Sequence, residues 1–217
     1  QDAFTMKSHL RAQTAREARR FVGEIVPMRG NREEARDESA TGASLEDIEA
    51  APSYCPPDGS ATMANTSQPH DGAAIVVVVS EAVWQRLGQP PALKLLGSAA
   101  EGVAPELEAE APIAAMRKLD ARLNGFDRSR IRAVELGESS SAQAIAMMSA
   151  LGIDDGVLNA EGGAVVRGHP LGAAGAVLVV RLFTRLLRRT PDVREGYGAA
   201  VLGAVGGLGL AAMFEVV

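Results

Sequence analysis

The sequence is poor in cysteine and in aromatic residues. Among its 217 residues there is one cysteine, Cys55, and phenylalanine, tyrosine and tryptophan together make up 4%. A single cysteine excludes an intrachain disulfide framework and fits a reducing compartment such as the cytoplasm. Because aromatic side chains are scarce, the core has to be packed with alanine, valine, leucine and glycine.

Signals for membrane insertion and nucleic-acid binding are also missing. The longest apolar run, residues 171–187, is interrupted by Arg181 and Arg185, so it is typical of a buried helix and not of a membrane span. A secretion signal would show as a basic stretch followed by an apolar run, and the sequence shows no such pattern near Gln1. The net charge is −5, with 22 basic and 27 acidic residues. The basic residues do not form the kind of stripe that would predict nucleic-acid binding. Since the chain begins at Gln1 and not at methionine, we expect a trimmed chain or a fragment of a cleaved precursor.

The order of the predicted elements is typical of an α/β domain. Apolar residues that recur every three to four positions predict helices, and short runs of β-branched residues predict strands. The run at residues 73–79 is continuously apolar, which predicts a strand buried on both faces. Residues 29–60 are polar and predict an irregular segment with one short helix. The predicted helices cover residues 3–20, 45–50, 80–87, 111–123, 139–151 and 170–189, and the predicted strands cover residues 73–79, 92–97, 131–136, 199–202 and 208–217.

A glycine-rich segment, residues 159–175, places a histidine directly before the predicted helix that begins at Pro170. Glycine lets a ligand or another backbone approach closely, and a helix N-terminus offers free N–H groups and a positive potential. His169 is therefore disfavoured as a cation at this position, which would keep it neutral and able to accept a proton. From the spacing alone, a structural histidine in a tight turn is the better interpretation.

The same segment resembles the thiolase motif Asn-x-x-Gly-Gly-Ala-x-x-x-Gly-His-Pro-Leu-Gly-x-x-Gly and matches it at every fixed position. The similarity extends to residues 1–12, 24–27 and 59–74, and so through nearly the whole chain. It implies that His169 activates a cysteine nucleophile and helps to hold the thioester oxygen, which requires a base within hydrogen-bond reach of the thiol. It also implies an α/β fold, the C-terminal half of the five-layer αβαβα thiolase arrangement. Residues 1–70 would be the remainder of the loop domain and a linker, and residues 71–217 the C-terminal domain.

A second segment, residues 62–72, is similar to the thiolase loop that lies along the pantetheine arm of coenzyme A. The candidate contacts are Met63, Thr66 and Ser67, and Ser67 matches the serine of that loop. A hydroxyl and nearby backbone groups suit an uncharged arm rich in amides. A plain turn is the alternative, because Asn, Ser, Pro, Asp and Gly all favour turns. The resemblance implies a coenzyme A thioester as substrate, no covalently bound cofactor and no metal.

The departures from the thiolase pattern concern two groups that take part in the chemistry of the family. Gly137 stands where thiolases carry the asparagine that holds a water in an oxyanion hole. Gly203 stands where they carry the second cysteine, which removes the α-proton in Claisen condensation. The backbone N–H of Val205 can still serve an oxyanion, because that donor needs no side chain. Cys55 falls at a position that is not catalytic in the family, and we interpret it as an ordinary thiol.

The resemblance implies an acyltransferase whose cysteine lies in the N-terminal half of thiolases, a half that these residues do not include. We expect a partner chain or fragment that carries this cysteine, and a dimer of such pairs, since unpartnered apolar strands would otherwise be exposed. Expressed alone, the chain is expected to aggregate. Two alternatives stay open: a non-catalytic structural partner of a thiolase-like enzyme, and a true acetyl-CoA acetyltransferase or β-ketothiolase with a substituted base.

Overall fold

A computed structural model describes residues 1–26, 43–124, 126–188 and 195–217. The described chain divides into two compact units, each assembled from two separate stretches. One unit comprises Gln1–Asp71 and Gly137–Leu171, and the other comprises Gly72–Leu136 and Gly172–Val217. The predicted division near residue 70, into a loop domain and a C-terminal domain, stays a prediction. Part of the predicted irregular segment, residues 29–42, lies outside the described residues.

The second unit is built on a four-stranded sheet with the order β1-β4-β3-β2. Strands β3 and β4 run antiparallel on either side of a glycine-containing turn, and β4 also pairs antiparallel with β1. Four of the five predicted strands are confirmed, and the strands predicted at residues 92–97 and 199–202 are longer than predicted. The strands are β1 Leu93–Gly102, β2 Ile131–Gly137, β3 Tyr197–Ala204 and β4 Leu208–Val216.

Seven α-helices occur in the described parts of the chain. Five of them coincide with predicted helices to within three residues at each end, and α7 covers the middle of a sixth. The short helix α6 lies in the glycine-rich segment, where no helix is predicted. Two begin at serine caps: Ser80 accepts a hydrogen bond from the N–H of Val83, and Ser140 accepts one from the N–H of Gln143. The helices are α1 Asp2–Glu17, α2 Leu45–Glu49, α3 Glu81–Arg86, α4 Ala111–Arg122, α5 Ser141–Leu151, α6 Ala164–Arg167 and α7 Ala174–Phe183.

The core of the second unit lies between the sheet and its helices, with α4 on β1 and β4 and α7 on β3. Leu178, Leu182 and Leu186 pack on one another and on Phe214. Small residues let them approach the sheet closely: a Cβ added at Gly198 would lie 2.7 Å from Leu186. Truncating the fully buried Leu182 to alanine would cost about 2–5 kcal/mol. The scarcity of aromatic residues is thus matched by close packing of aliphatic side chains on alanine and glycine.

The long helix predicted over residues 170–189 is shorter and less regular than expected. A 3₁₀ turn, Leu171–Ala173, precedes α7, and a π-helical turn, Thr184–Arg188, follows it. Arg185, within the π-helical turn, forms a 2.6 Å ion pair with Glu135 of β2. Because the 3₁₀ turn lies between them, His169 does not stand directly before α7.

The prediction of a strand at residues 73–79 is wrong. The segment has no ladder partner among the described residues, and its apolar side chains are exposed: Ile75 and Val78 are each 87% exposed, and Val77 is 83% exposed. The pattern reports the residues' preference for a buried strand, but a strand forms only where a neighbouring strand supplies hydrogen bonds.

None of the helices in the described part of the chain combines the length and apolar character needed to span a bilayer.

Candidate active site

The backbone on both sides of His169 is fixed by a short parallel pairing within the first unit. The N–H of His169 donates a 2.9 Å hydrogen bond to the carbonyl oxygen of Gln68, and the carbonyl oxygen of His169 accepts a 3.2 Å bond from the N–H of His70. Pro69 lies opposite His169 in this bridge. The segment that carries Met63, Thr66 and Ser67 therefore leads directly into residues bonded to His169.

The residue before the histidine has to be glycine. Gly168 has φ of +85°, a conformation that L side chains rarely adopt, and a Cβ there would lie 2.5 Å from the ring of His70. The ring of His70 thus packs on the Gly168 backbone, so the turn that presents His169 is closed from that side. The sequence identifies His70 only as a turn residue.

The imidazole of His169 is half-buried, and burial lowers its pKa below the ordinary histidine value. Its Nδ1 is buried and makes no hydrogen bond to any described residue. The lowered pKa favours the neutral ring, and its cause is desolvation and not the predicted helix end, because α7 begins only at Ala174. A neutral imidazole can accept a proton from a nearby thiol.

The Ser67 loop is held against the residues that follow β2. Both the N–H and the hydroxyl of Ser67 donate to the carbonyl oxygen of Ser139, at 3.0 and 3.1 Å. Thr66 forms an isolated antiparallel bridge with Ser140. The hydroxyl proton of Ser67 is thus in use, while its oxygen remains able to accept a hydrogen bond from an amide. Met63 is 57% exposed and Thr66 is half-buried.

The residue that sequence reasoning missed is Glu138, the first residue after β2. It is fully buried, and its carboxylate accepts a 2.9 Å hydrogen bond from Nδ2 of Asn159 and a 3.1 Å bond from the N–H of Val165. A Cβ at Gly163 would overlap this carboxylate. Glu138 therefore fastens both ends of the glycine turn that leads to His169. Two signals could have found it: its place directly after a predicted strand, and its match to the glutamate of the thiolase pattern Asn-Glu-Ala-Phe, in which Gly137 replaces the asparagine.

Helix α1 supports the same turn from another side. The N–H of Gly163 donates a 3.1 Å hydrogen bond to the hydroxyl of Ser8. Gly162 has φ of +85°, and a Cβ there would lie 2.7 Å from that of Ala12. The small residues on α1 and the paired glycines of the motif therefore fit each other, which gives the glycines a packing role beside any role toward a ligand.

The remaining residues singled out in the sequence are Val205 and Gly203 in the second unit, and Gly137 and Cys55 in the first. Val205 is 93% exposed at the turn between β3 and β4, and the next residue, Gly206, donates its N–H to Glu108 at 3.3 Å. Gly203 is half-buried and lies opposite Gly209 of β4, and Gly137 is the buried last residue of β2. Cys55 is exposed. The roles of His169, Met63, Thr66, Ser67 and Val205 toward a substrate stay predictions.

Comparison with known proteins identifies the family. Residues 89–216 match the thiolase C-terminal domain, and residues 1–82 match the thiolase N-terminal domain. The chain is 34% identical to the acetyl-CoA acetyltransferase of Paracoccus denitrificans over 221 residues, which cover 99% of this chain and 55% of that protein. The chain thus spans a little over half the length of the curated relatives it matches.

Solved structures agree with this match. The acetyl-CoA acetyltransferase of Bacillus anthracis has a TM-score of 0.89 and 30% identity, and the Acat5 thiolase of Ascaris suum, solved in complex with coenzyme A, has a TM-score of 0.86 and 30% identity. Each comparison covers 100% of this chain and 55% of the other. Sequence motif, family match and fold lead to one conclusion: this chain belongs to the thiolase family and has the thiolase fold.

Proposed function

We propose that this chain supplies the histidine half of an acyltransferase that takes its acyl group from a coenzyme A thioester. In this proposal His169 is the base that activates a cysteine thiol. Met63, Thr66 and Ser67 lie along the pantetheine arm, and the N–H of Val205 donates to the oxyanion. The observation that carries the proposal is the position of His169: its imidazole is half-buried, which lowers its pKa, and its backbone is bonded to the segment that follows Ser67.

The reaction would proceed in two balanced steps. His169 takes the proton of the cysteine thiol, and the thiolate attacks the thioester carbonyl to form the acyl-cysteine. The leaving coenzyme A thiolate then takes that proton from His169. In the second step an acceptor nucleophile gives its proton to His169 and takes the acyl group, and the cysteine leaves as a thiolate that regains the proton from His169. A positioned general base of this kind contributes about 10²–10⁴-fold to the rate.

The cysteine nucleophile is proposed to come from outside residues 1–217, on a partner chain or fragment similar to the N-terminal half of thiolases. The only cysteine within them, Cys55, is exposed and falls at a position that is not catalytic in the family. The exposed apolar segment at residues 75–79 supports such a partner, because it has the composition of a central strand without a neighbour. A dimer of such pairs, in the cytoplasm, completes the proposal.

The two glycines restrict the reaction. With Gly137 and Gly203 the chain has neither the asparagine nor the second cysteine of the thiolase pattern, so ordinary thiolysis and proton-abstracting condensation are disfavoured. Acyl transfer to an activated nucleophile, or condensation driven by decarboxylation, needs neither group. The same two glycines favour the second candidate function, a non-catalytic subunit that completes the fold of an active partner.

Labelling with acyl-CoA tests the proposal. The assembly containing this chain is incubated with radiolabelled acetyl-CoA or a longer acyl-CoA, and covalent acyl groups are mapped by mass spectrometry. We expect label on a cysteine of the partner. The label should be lost in His169→Ala and kept in the control His9→Ala, since His9 is another histidine whose pKa is lowered by burial. No label with any acyl-CoA would favour the non-catalytic function. Cleavage of acetoacetyl-CoA by free coenzyme A would indicate a thiolase with a substituted base.

A further inference from the structure

We infer that Glu138 and Asn159 act together as a latch that positions His169. The inference deepens the proposed function and rests on it, because it concerns the same site. The latch joins the residue after β2 to the first residue of the motif turn, ten residues before His169. Neither residue is proposed to touch the substrate, so both are positioning residues.

The geometry of Glu138 argues that it holds the turn at two points. One carboxylate oxygen accepts from the side chain of Asn159 and the other from the backbone N–H of Val165, at 2.9 and 3.1 Å. Between these points the backbone of Gly163 lies so close that no side chain fits there. From Val165 only the rest of α6 and Gly168 separate the latch from His169. A shift of either anchor is therefore transmitted through one helical turn to the imidazole.

The conformation of Asn159 supports this interpretation. Its φ is +39°, a left-handed conformation that asparagine adopts more readily than most other non-glycine residues and that its contacts hold here. It is 2% exposed, and Glu138 has no solvent exposure. A buried carboxylate is costly unless hydrogen-bond donors compensate for its lost hydration. Here the donors are Asn159 and the N–H of Val165, and their bonds to Glu138 hold the turn that carries His169 in place.

The same short segment also holds the Ser67 loop. Ser139, directly after Glu138, accepts both hydrogen bonds from Ser67, and the N–H of Ser141 donates a 2.9 Å bond to the carbonyl oxygen of Asn65. Residues 138–141 thus fix the histidine turn on one side and the proposed pantetheine loop on the other. The latch sets the position of His169 relative to this shared support.

A polarity swap tests the latch. Asn159→Asp replaces the amide donor by a carboxylate that faces the carboxylate of Glu138, so the contact becomes repulsive. Adding Glu138→Gln restores the contact, because the amide nitrogen of the new glutamine donates to the carboxylate introduced at position 159 and its amide oxygen accepts from the N–H of Val165. Both variants are studied in the full assembly, beside the control Asp58→Asn, which removes an exposed carboxylate from the same unit.

The readout is hydrogen exchange at C2 of each histidine, followed by mass spectrometry over a range of pH, which gives a pKa for His169 separately from His9. We expect Asn159→Asp to move the pKa of His169 toward the ordinary value, and to lower kcat of acyl transfer about a hundredfold with KM for the thioester nearly unchanged. The double variant should recover most of both. The profile of His9 should stay constant throughout.

Two outcomes would overturn the latch. Either the His169 profile of Asn159→Asp superimposes on that of the wild type, or the profiles of His9 and His169 change together and the double variant fails to restore them, which indicates general unfolding. Failure of the proposed function is distinguishable, because it removes acyl transfer in every variant, including the wild type, and leaves the histidine profiles as predicted.

Discussion

The carbonyl oxygen of Ser139 accepts two hydrogen bonds from Ser67, one from its N–H at 3.0 Å and one from its hydroxyl at 3.1 Å. Ser67→Ala removes only the second, so the loop keeps its place and the free energy of unfolding should fall by no more than about 1 kcal/mol. If the serine oxygen accepts from a pantetheine amide, KM for acyl-CoA should rise about three- to tenfold and kcat should stay constant. Steady-state kinetics check this, with Ser60→Ala as the control, and an unchanged KM would remove Ser67 from the binding site.

The conformation of Gly168 predicts a sharp difference between two glycines of the motif. Gly168→Ala places a Cβ 2.5 Å from the ring of His70 in a backbone with φ of +85°, and should lower the free energy of unfolding by about 1–3 kcal/mol and abolish acyl transfer. Gly172→Ala, four residues further on, adds a Cβ that meets nothing within 4 Å, and should have little effect on stability. Urea unfolding compares the two variants, and equal stability would contradict the strained conformation at residue 168.

The motif and the local structure around it could be predicted well from the sequence, because both depend on short-range signals. Ser80 caps the helix predicted over residues 80–87, and Gly168 and His169 stand at fixed motif positions. What could not be predicted depends on distant residues. The pairing of His169 with Gln68 joins positions about a hundred residues apart, and Glu138 becomes important only because its strand ends beside Asn159.

The wrong strand at residues 73–79 shows the same limit in another form. The valines favour a buried strand by their intrinsic propensity, but a strand forms only when a second segment pairs with it through hydrogen bonds. Likewise the helix predicted from Pro170 onward is correct for α7 but not for its ends, where a 3₁₀ turn and a π-helical turn stand instead. The π-helical turn carries Arg185, which pairs with Glu135, 50 residues away along the chain.

The lowered pKa values of His169 and His9 predict a stability that decreases in mild acid. Both are lowered from 6.5 by burial, so the unfolded chain binds protons at a pH where the folded chain still does not. Stability is therefore full above pH 6.5 and declines as the pH falls below it, until the folded histidines also protonate. Urea unfolding between about pH 8 and about pH 5.5 measures this, and His9→Gln with His169→Gln should flatten the curve. A curve that keeps its slope in the double variant would assign it to other groups.

The exposed segment at residues 75–79 predicts how the chain behaves without its proposed partner. Expressed alone, the chain should aggregate, and the double variant Ile75→Lys with Val78→Lys should increase the dispersed fraction, because both side chains are 87% exposed and their replacement removes no internal packing. Val134→Lys, at a position with no exposure, should unfold the chain instead. Sedimentation and size-exclusion chromatography measure the result. A wild-type chain that stays monomeric and stable by itself would contradict the need for a partner.

Restoring the missing thiol is the most direct test of why Gly203 matters. Gly203 is half-buried in β3, opposite Gly209, and Gly203→Cys returns the group that thiolases use to move the α-proton. In the assembly with the proposed partner, cleavage of acetoacetyl-CoA by coenzyme A should rise at least about tenfold, while acyl-cysteine formation changes little because it depends on His169. Gly203→Ser is the matched control, since its hydroxyl has similar size but ionises far less readily than a thiol. Equal activity of the two variants would mean that the absent thiol does not limit the reaction.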